Sequence, residues 1–370
     1  MPELPEVEII KQGLSKLLPG RIIADVWHNW QKSFPNAPAD VARFLVDAKI
    51  ISVKRRAKVL IIELSSGYSL VVHLKMTGQL VFVPKTSEQK ARLRQSYGRQ
   101  AKSKKQKAEK KFGGGHPTKS LIGKLPDKST RVIVEFYPPK GARDIRLSTL
   151  QGKVEQRTKP YMKYGEGVAQ TLTQQSAKSV AGVPGRQPEQ QGDTAHGPRL
   201  FFNDQRKFGW MRLLPTVEVP QIDFMKKVGP EPLEDNFTVG VFIERLNRRK
   251  NSSIKAMLLD QTVLAGVGNI YADESLFAAK IHPATPVFKV SKAKLVMLHN
   301  ALRQILQQAI DKGGSTDRNY VDVKGKKGSY LNFAQVFRRQ GQVCSRCGGV
   351  IQKIRVAGRG THICPRCQKR

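Results

Sequence analysis

The first 343 residues of this 370-residue chain contain no cysteine. No disulfide framework therefore supports its main body, and nothing points to an oxidising compartment. Long apolar runs are also missing. None reaches the roughly 18–20 residues that span a bilayer, and no apolar signal segment follows the start. Acidic residues are scarce, 29 against 65 Lys and Arg, which leaves a formal charge of +36. No internal repeat is visible. These absences set aside membrane-spanning, secreted and repeat architectures and leave a cytoplasmic protein as the expectation. The basic excess calls for a polyanionic partner, because neutralising phosphates releases condensed counterions. Composition alone would equally suit a ribosomal-type or chromatin-type protein that binds nucleic acid without chemistry.

The four cysteines present are Cys344, Cys347, Cys364 and Cys367, a C-x2-C pair, sixteen residues, and a second C-x2-C pair. Thiolates at this spacing can close a tetrahedral metal site at the tips of two tight turns, and one structural Zn2+ is expected in preference to disulfides. So short a ribbon has too little core to fold without its metal.

The length allows more than one domain. Val7, Ile10, Leu14 and Leu17 fall on one helical face, with Gly20 placed as a stop. Segments 49–54, 58–64, 69–74, 79–83, 131–137, 199–203 and 209–214 read as strands. Two stretches interrupt them. Residues 85–130 carry 14 Lys and Arg against 3 Asp and Glu, and 151–198 are rich in Gln, Gly, Ser and Thr. Both are predicted to be disordered insertions, the first adding non-specific affinity for a polyanionic partner. Helices are predicted over 238–248, 252–259, 270–279 and 291–312, followed by a Gly/Lys/Tyr loop at 313–335. The expected fold is α+β and multidomain: an N-terminal helix plus β-sandwich within 2–215, a linker at 216–236, a helical domain within 237–335, and a zinc ribbon at 336–370.

Several strings carry chemistry. The chain opens Met1-Pro2-Glu3-Leu4-Pro5-Glu6-Val7-Glu8. Loss of Met1 would leave Pro2 as a secondary amine of pKa about 7.7–8.0, partly unprotonated at neutral pH. Attack by such an amine on a sugar C1′ gives an iminium that is already cationic. Glu3 and Glu6 stand close by as general acids or bases. The same residues also make an ordinary helix start, so both readings stand. Arg55-Arg56-Ala57-Lys58 is either a solvated or a phosphate-binding face. Met76 follows a strand in His73-Leu74-Lys75-Met76-Thr77-Gly78, and Asn203-Asp204-Gln205-Arg206-Lys207-Phe208-Gly209 is a polar turn before another. Gly266 and Gly268 lead into a helix at Asn269, as a cap or as a close approach to phosphate. Arg359 stands between glycines among the cysteine pairs, a placement suited to contact with DNA.

In this order the strings resemble those of bacterial formamidopyrimidine-DNA glycosylases. The opening Pro-Glu-Leu-Pro-Glu-Val-Glu is similar to theirs, and Gly266-Val267-Gly268-Asn269-Ile270-Tyr271-Ala272-Asp273-Glu274 closely resembles their helix–two-turns–helix signature. The resemblance implies a bifunctional glycosylase and abasic-site lyase, acting as a monomer on damaged double-stranded DNA and removing oxidised purines. It implies Pro2 as nucleophile, Glu3 as proton handler, and Lys58 and Arg359 as grips on the flanking phosphate. Met76, Arg206 and Phe208 would fill the gap left by an extruded base, while Lys250 and Asn269 would bind phosphates. Lys207 stands where the family has a second arginine. Lys128 lies where the family carries a DNA-contacting histidine. An endonuclease VIII type acting on oxidised pyrimidines is the alternative, disfavoured by Leu4 and the 313–335 loop. A non-catalytic DNA-binding protein is disfavoured by the presence of Pro2, Glu3, Lys58 and Arg359 together.

Overall fold

A computed structural model describes residues 2–84, 112–115, 125–138, 197–316 and 328–370. Met1, most of the two predicted insertions and the centre of the 313–335 loop lie outside the described residues. Helix α1 runs Leu4–Leu14, three residues short of the expected apolar stripe. Leu17 and Leu18 are still buried, carried inward by the turns that follow.

Among the described residues, nine strands pair in two antiparallel sheets. One sheet joins β2 (Ile50–Arg56), β3 (Val59–Leu64), β4 (Tyr68–His73) and β9 (Trp210–Pro215) in that order. The other has the order β1 (Ile23–His28), β7 (Thr130–Phe136), β8 (Arg199–Asp204), β5 (Gly78–Val83) and β6 (Phe112–Gly115). Period-two alternation sorts the strands' side chains. Leu80, Phe82, Val132, Val134, Leu200 and Phe202 meet Leu60, Ile62, Leu70 and Val72 in one core, which Val7, Ile10 and Leu14 of α1 complete. Val81, Ile133 and Phe201 cluster on the outer face.

Two strands were not expected. In β1 only Ile23 is buried, so this edge strand lacks the alternation that would mark it. Strand β6 falls within 85–130 and corrects the expectation of disorder for those four residues. It is built mainly of glycine, and Gly114 faces Ile10 so closely that a Cβ would sit 2.5 Å from Ile10 Cγ1. Close backbone approach to α1 places it there, with Phe112 packed at the margin of the core.

The chain leaves the second sheet at Val83 and Phe136 and re-enters at Phe112 and Arg199. The register sets Val83 opposite Arg199 and Phe82 opposite Phe112, whereas Gly78 lies opposite Asp204 at the other end. Residues 85–111 and 139–196 thus join the sheet at the end remote from Asp204, whereas the chain leaves Gly115 and returns at Thr130 at the Asp204 end.

Residues 216–236 are structured, with a 3-10 turn at Thr216–Gln221 and a short helix at Asp223–Lys227. Beyond them come α2 (Val239–Asn247), α3 (Ile254–Leu259), α4 (Asn269–Ala278) and α5 (Lys292–Asp311). The side chains of Thr238, Ser253 and Ser291 cap α2, α3 and α5 by accepting backbone N–H bonds. Apolar residues of all four helices form a second core. Last comes a hairpin of β10 (Gln352–Val356) and β11 (Arg359–Ile363). Its two-residue turn, Ala357 and Gly358, has φ of 50° and 71°, the pairing that suits the twist of a hairpin.

Candidate active site

The two ends of the opening string have different fates. Pro2, Glu3 and Glu6 are all buried. The Glu6 carboxylate is saturated: it accepts from the Glu3 N–H at 2.8 Å, the Tyr271 hydroxyl at 2.5 Å, and the Ser315 N–H and hydroxyl, both at 2.9 Å. Glu3 is not saturated. Its Oε1 accepts from the Ile270 N–H at 3.1 Å, while its buried Oε2 has no hydrogen-bond partner among the described residues. Burial pushes the Glu3 carboxyl up to about 7, the Lys58 ammonium pulls against that, and the Glu6 charge adds to it. A buried carboxyl with one free oxygen and a pKa near neutrality is poised to give or take a proton.

Gly266 and Gly268 close down on this residue. A Cβ on Gly268 would overlap the Glu3 carboxyl, and one on Gly266, at φ 77°, would lie 2.6 Å from Leu4 Cβ. The Leu4 N–H donates to the Gly266 carbonyl at 2.9 Å. The positive end of α4 therefore faces Glu3, a partner the glycine spacing alone did not identify.

Of Arg55-Arg56-Ala57-Lys58, only the lysine faces this group. Arg55 bonds Glu8 and Glu231, each at 2.8 Å, and Arg56 bonds the Gly229 carbonyl at 2.8 Å. This corrects the view of the run as a solvated or phosphate-binding face: acids remote in sequence neutralise both arginines. Glu231, buried in the expected linker, also accepts from the N–H of Ala57, whose φ is 51°. That fixes a left-handed residue immediately before Lys58. Lys58 is buried and donates to the Val267 carbonyl at 2.9 Å. Burial lowers its ammonium below the usual range, with Glu3 and Glu6 opposing and Arg359 reinforcing. His73 nearby is pushed down to about 3 by burial, Lys75 and Lys58, and accepts from the Lys75 N–H.

The ribbon hairpin reaches the same place. Asn269 donates to the Gly360 carbonyl at 3.0 Å, and Lys255 reaches Asp273 at 2.5 Å and the Thr361 hydroxyl at 2.7 Å. Asp273 in turn accepts from the His362 N–H at 2.9 Å. Arg359 stays exposed at the hairpin tip, close enough for its charge to act on both Lys58 and Lys255. Beside it a cleft of about 450 Å³ is lined by Asn269, Phe337, Lys353, Gly360 and His362, among others.

Met76, Arg206 and Phe208 meet at a second location. Arg206 Nη1 lies 3.1 Å from the Met76 sulfur, and its guanidinium lies 4.9 Å over the Phe208 ring. Met76 and Phe208 are 43% and 53% exposed, unusual for large apolar side chains in a well-packed fold. Lys128 is exposed in the turn beside Ser129, whose carbonyl accepts from the Asp204 N–H. Lys250 is also exposed, but its carbonyl is bound by the Phe288 N–H and it makes no described contact with Glu3 or Lys58.

The ligand atoms of Cys344, Cys347, Cys364 and Cys367 all lie within 4.8 Å of one another, and the thiols are unpaired. Tetrahedral thiolates at a Zn–S distance of about 2.3 Å stand about 3.8 Å apart, so this set fits zinc. Two of the sulfur separations are 4.0 and 3.3 Å.

Glu231, Lys255, Asp273, Tyr271 and Ser315 escaped the sequence reading as site-building residues. Glu231 did carry a signal: an acid held between Pro230 and Pro232 in an otherwise flexible-looking stretch.

Three family models match: the formamidopyrimidine-DNA glycosylase N-terminal domain over 1–112, its H2TH domain over 228–320, and the zinc finger found in FPG and IleRS over 341–370. The chain is 31% identical over its full length to a formamidopyrimidine-DNA glycosylase of Pelotomaculum thermopropionicum, covering 99% of that protein. It is 32% identical, again over its full length, to one of Chloroflexus aurantiacus, covering 98%. A structure of Lactococcus lactis Fpg with abasic-site-containing DNA superposes with a TM-score of 0.68, at 28% identity and full coverage of both chains. The chain belongs to the formamidopyrimidine-DNA glycosylase family.

Proposed function

We propose that this protein is a bifunctional DNA glycosylase and abasic-site lyase that excises oxidised purines, 8-oxoguanine and formamidopyrimidines, from duplex DNA. The relatives' names support the substrate class, and the related structures include one bound to Fapy-dG-containing DNA and one bound to carbocyclic 8-oxo-G-containing DNA. The observation that carries the chemistry is the unpartnered Oε2 of buried Glu3, next to Pro2 and sharing a pocket with Lys58.

In this reading the Pro2 amine, freed of Met1, bonds to C1′ of the extruded nucleotide. The glycosidic bond breaks, and its electron pair leaves with the base, which takes up a proton. Glu3 delivers a proton to the ring oxygen as the C1′–O4′ bond opens, leaving an iminium. Loss of a C2′ proton then expels the 3′ phosphate, a second elimination expels the 5′ phosphate, and water releases the amine. Lys58 and Arg359 hold the flanking phosphate, with Asn269 and Lys250 along the backbone. Met76, Arg206 and Phe208 fill the gap, and Lys128 touches the DNA beside them. Residues 2–215 supply the nucleophile and plug, 237–335 the phosphate grip, and 336–370 the zinc-held hairpin, with 216–236 between. The zinc gives the ribbon its rigidity.

Borohydride should trap a protein–DNA adduct at the amino terminus, and Pro2→Gly should reduce trapping by roughly a hundredfold or more, as expected for loss of a nucleophile. Undiminished trapping with the adduct on a lysine would refute the role of Pro2. A mass spectrum showing Met1 retained in the active protein would refute it equally.

A further inference from the structure

Asp204 ends β8 fully buried, and its carboxylate collects donors from two separate turns. Oδ1 accepts from the Thr77 hydroxyl and, at 3.1 Å, from the Arg206 N–H. Oδ2 accepts from the Gly209 N–H at 2.6 Å. The Arg206 N–H is shared with the Thr77 hydroxyl at 3.1 Å. One carboxylate thus spans the 205–208 turn from both ends and ties it to the residue after Met76. Its own backbone is pinned from the neighbouring strand: the Asp204 N–H donates to Ser129 at 2.7 Å, and Arg131 Nε donates to the Asp204 carbonyl at 2.9 Å. Lys207, at φ 57°, turns its side chain away to lie 4.3 Å over the Trp30 ring, leaving Arg206 and Phe208 to project together.

We propose that Asp204 is a positioning residue that holds Met76, Arg206 and Phe208 as one preassembled plug, ready before DNA arrives. This rests on the reading of those three side chains as the group that fills the gap. The exposure of Met76 and Phe208, with Arg206 already against both, shows the plug formed with no base present. A mobile turn would have to order during base extrusion and would lose binding free energy to that ordering; a turn fixed by four hydrogen bonds is ordered beforehand. A negative charge suits the task because an ionised carboxylate accepts on both oxygens, and all the donors here point inward.

The test uses a duplex with 2-aminopurine opposite a tetrahydrofuran abasic analogue, whose fluorescence rises when the plug displaces its stacking. Asp204→Asn sets an NH2 against one of these N–H donors, and Thr77→Val removes the bridging hydroxyl at nearly constant shape. The rise at saturating DNA should fall at least about threefold in Asp204→Asn and about twofold in Thr77→Val, with affinity for undamaged duplex within about twofold of the unmodified protein. An undiminished rise in Thr77→Val overturns the proposal. So does a loss in both variants matched by an equal loss of undamaged-duplex affinity, which would signal general unfolding. If Asp204→Asn does not fold, Thr77→Val decides alone. The fluorescence change needs no reaction at C1′, so a failure of borohydride trapping overturns the role of Pro2 without bearing on this result.

Discussion

The carboxyl of Glu3 occupies the space that a side chain on Gly268 would need; a Cβ there would come within 2.6 Å of Glu3 Cγ and overlap the carboxyl itself. The helix signature and the amino terminus, more than 260 residues apart in sequence, are therefore shaped against each other.

Gly268→Ala should displace Glu3 rather than weaken a phosphate contact. Overpacking of this kind costs about 1–3 kcal/mol. The thermal midpoint should fall accordingly, and borohydride trapping should drop more steeply than affinity for undamaged duplex. Equal losses in both would mean that the glycine serves the phosphate instead.

Glu3 should make stability depend on pH. Its carboxyl titrates at about 7 in the fold against an ordinary 4.5. Between those values the unfolded chain has released a proton that the folded protein keeps. This contribution to stability is therefore complete below pH 4.5 and is lost as pH rises through 7. The loss is on the order of 3 kcal/mol. Glu3→Gln should be the more stable protein at pH 8, nearly matched with the unmodified one at pH 4, and inactive at both. Urea midpoints across that range check the sign.

Lys255 and Asp273 form an ion pair in which both side chains are fully buried. Lys255→Met leaves Asp273 without its cation and unties the Thr361 hydroxyl. Removing one member of such a pair costs about 3–5 kcal/mol. Pairing it with Asp273→Asn should recover part of that loss, and a double-mutant cycle on thermal midpoints measures how much. Strict additivity would show that the two residues are not coupled.

Removing the metal should release the grip without dissolving the sandwich. Chelation, or Cys364→Ser, should unfold the ribbon, because so small a core depends on its metal. Cleavage should fall about a hundredfold or more as the hairpin that carries Arg359 is lost. Far-ultraviolet circular dichroism should keep most of its amplitude. Metal content measured alongside activity checks the link.

Local chemistry was legible in the sequence, and tertiary partnership was not. Cys344, Cys347, Cys364 and Cys367 announce a metal site because ligand spacing is a local property. The helices from Val239 to Asp311 were placed within about two residues, because their apolar periodicity and Ser/Thr caps are local as well. The edge strand Ile23–His28 went unseen because an edge needs little burial, and Phe112–Gly115 because its glycines are used for proximity. Arg55 and Arg56 read as a solvated or phosphate-binding face because Glu8 and Glu231 reach them from elsewhere in the chain. Glu3 and Glu6 look alike on paper. Only the packing of Tyr271 and Ser315 around Glu6 leaves Glu3 as the carboxyl with an oxygen to spare.

Residues 85–111 and 139–196 join the second sheet at its Val83–Arg199 end, while Gly78 and Asp204 face each other at the opposite end. Residues added there lengthen no path between Glu3, Lys58 and Arg206. The sheet behaves as a tool with a working edge and a handle, and residues 85–111 and 139–196 attach at the handle. That end is the place to graft a fluorophore or a second domain while leaving the working edge alone.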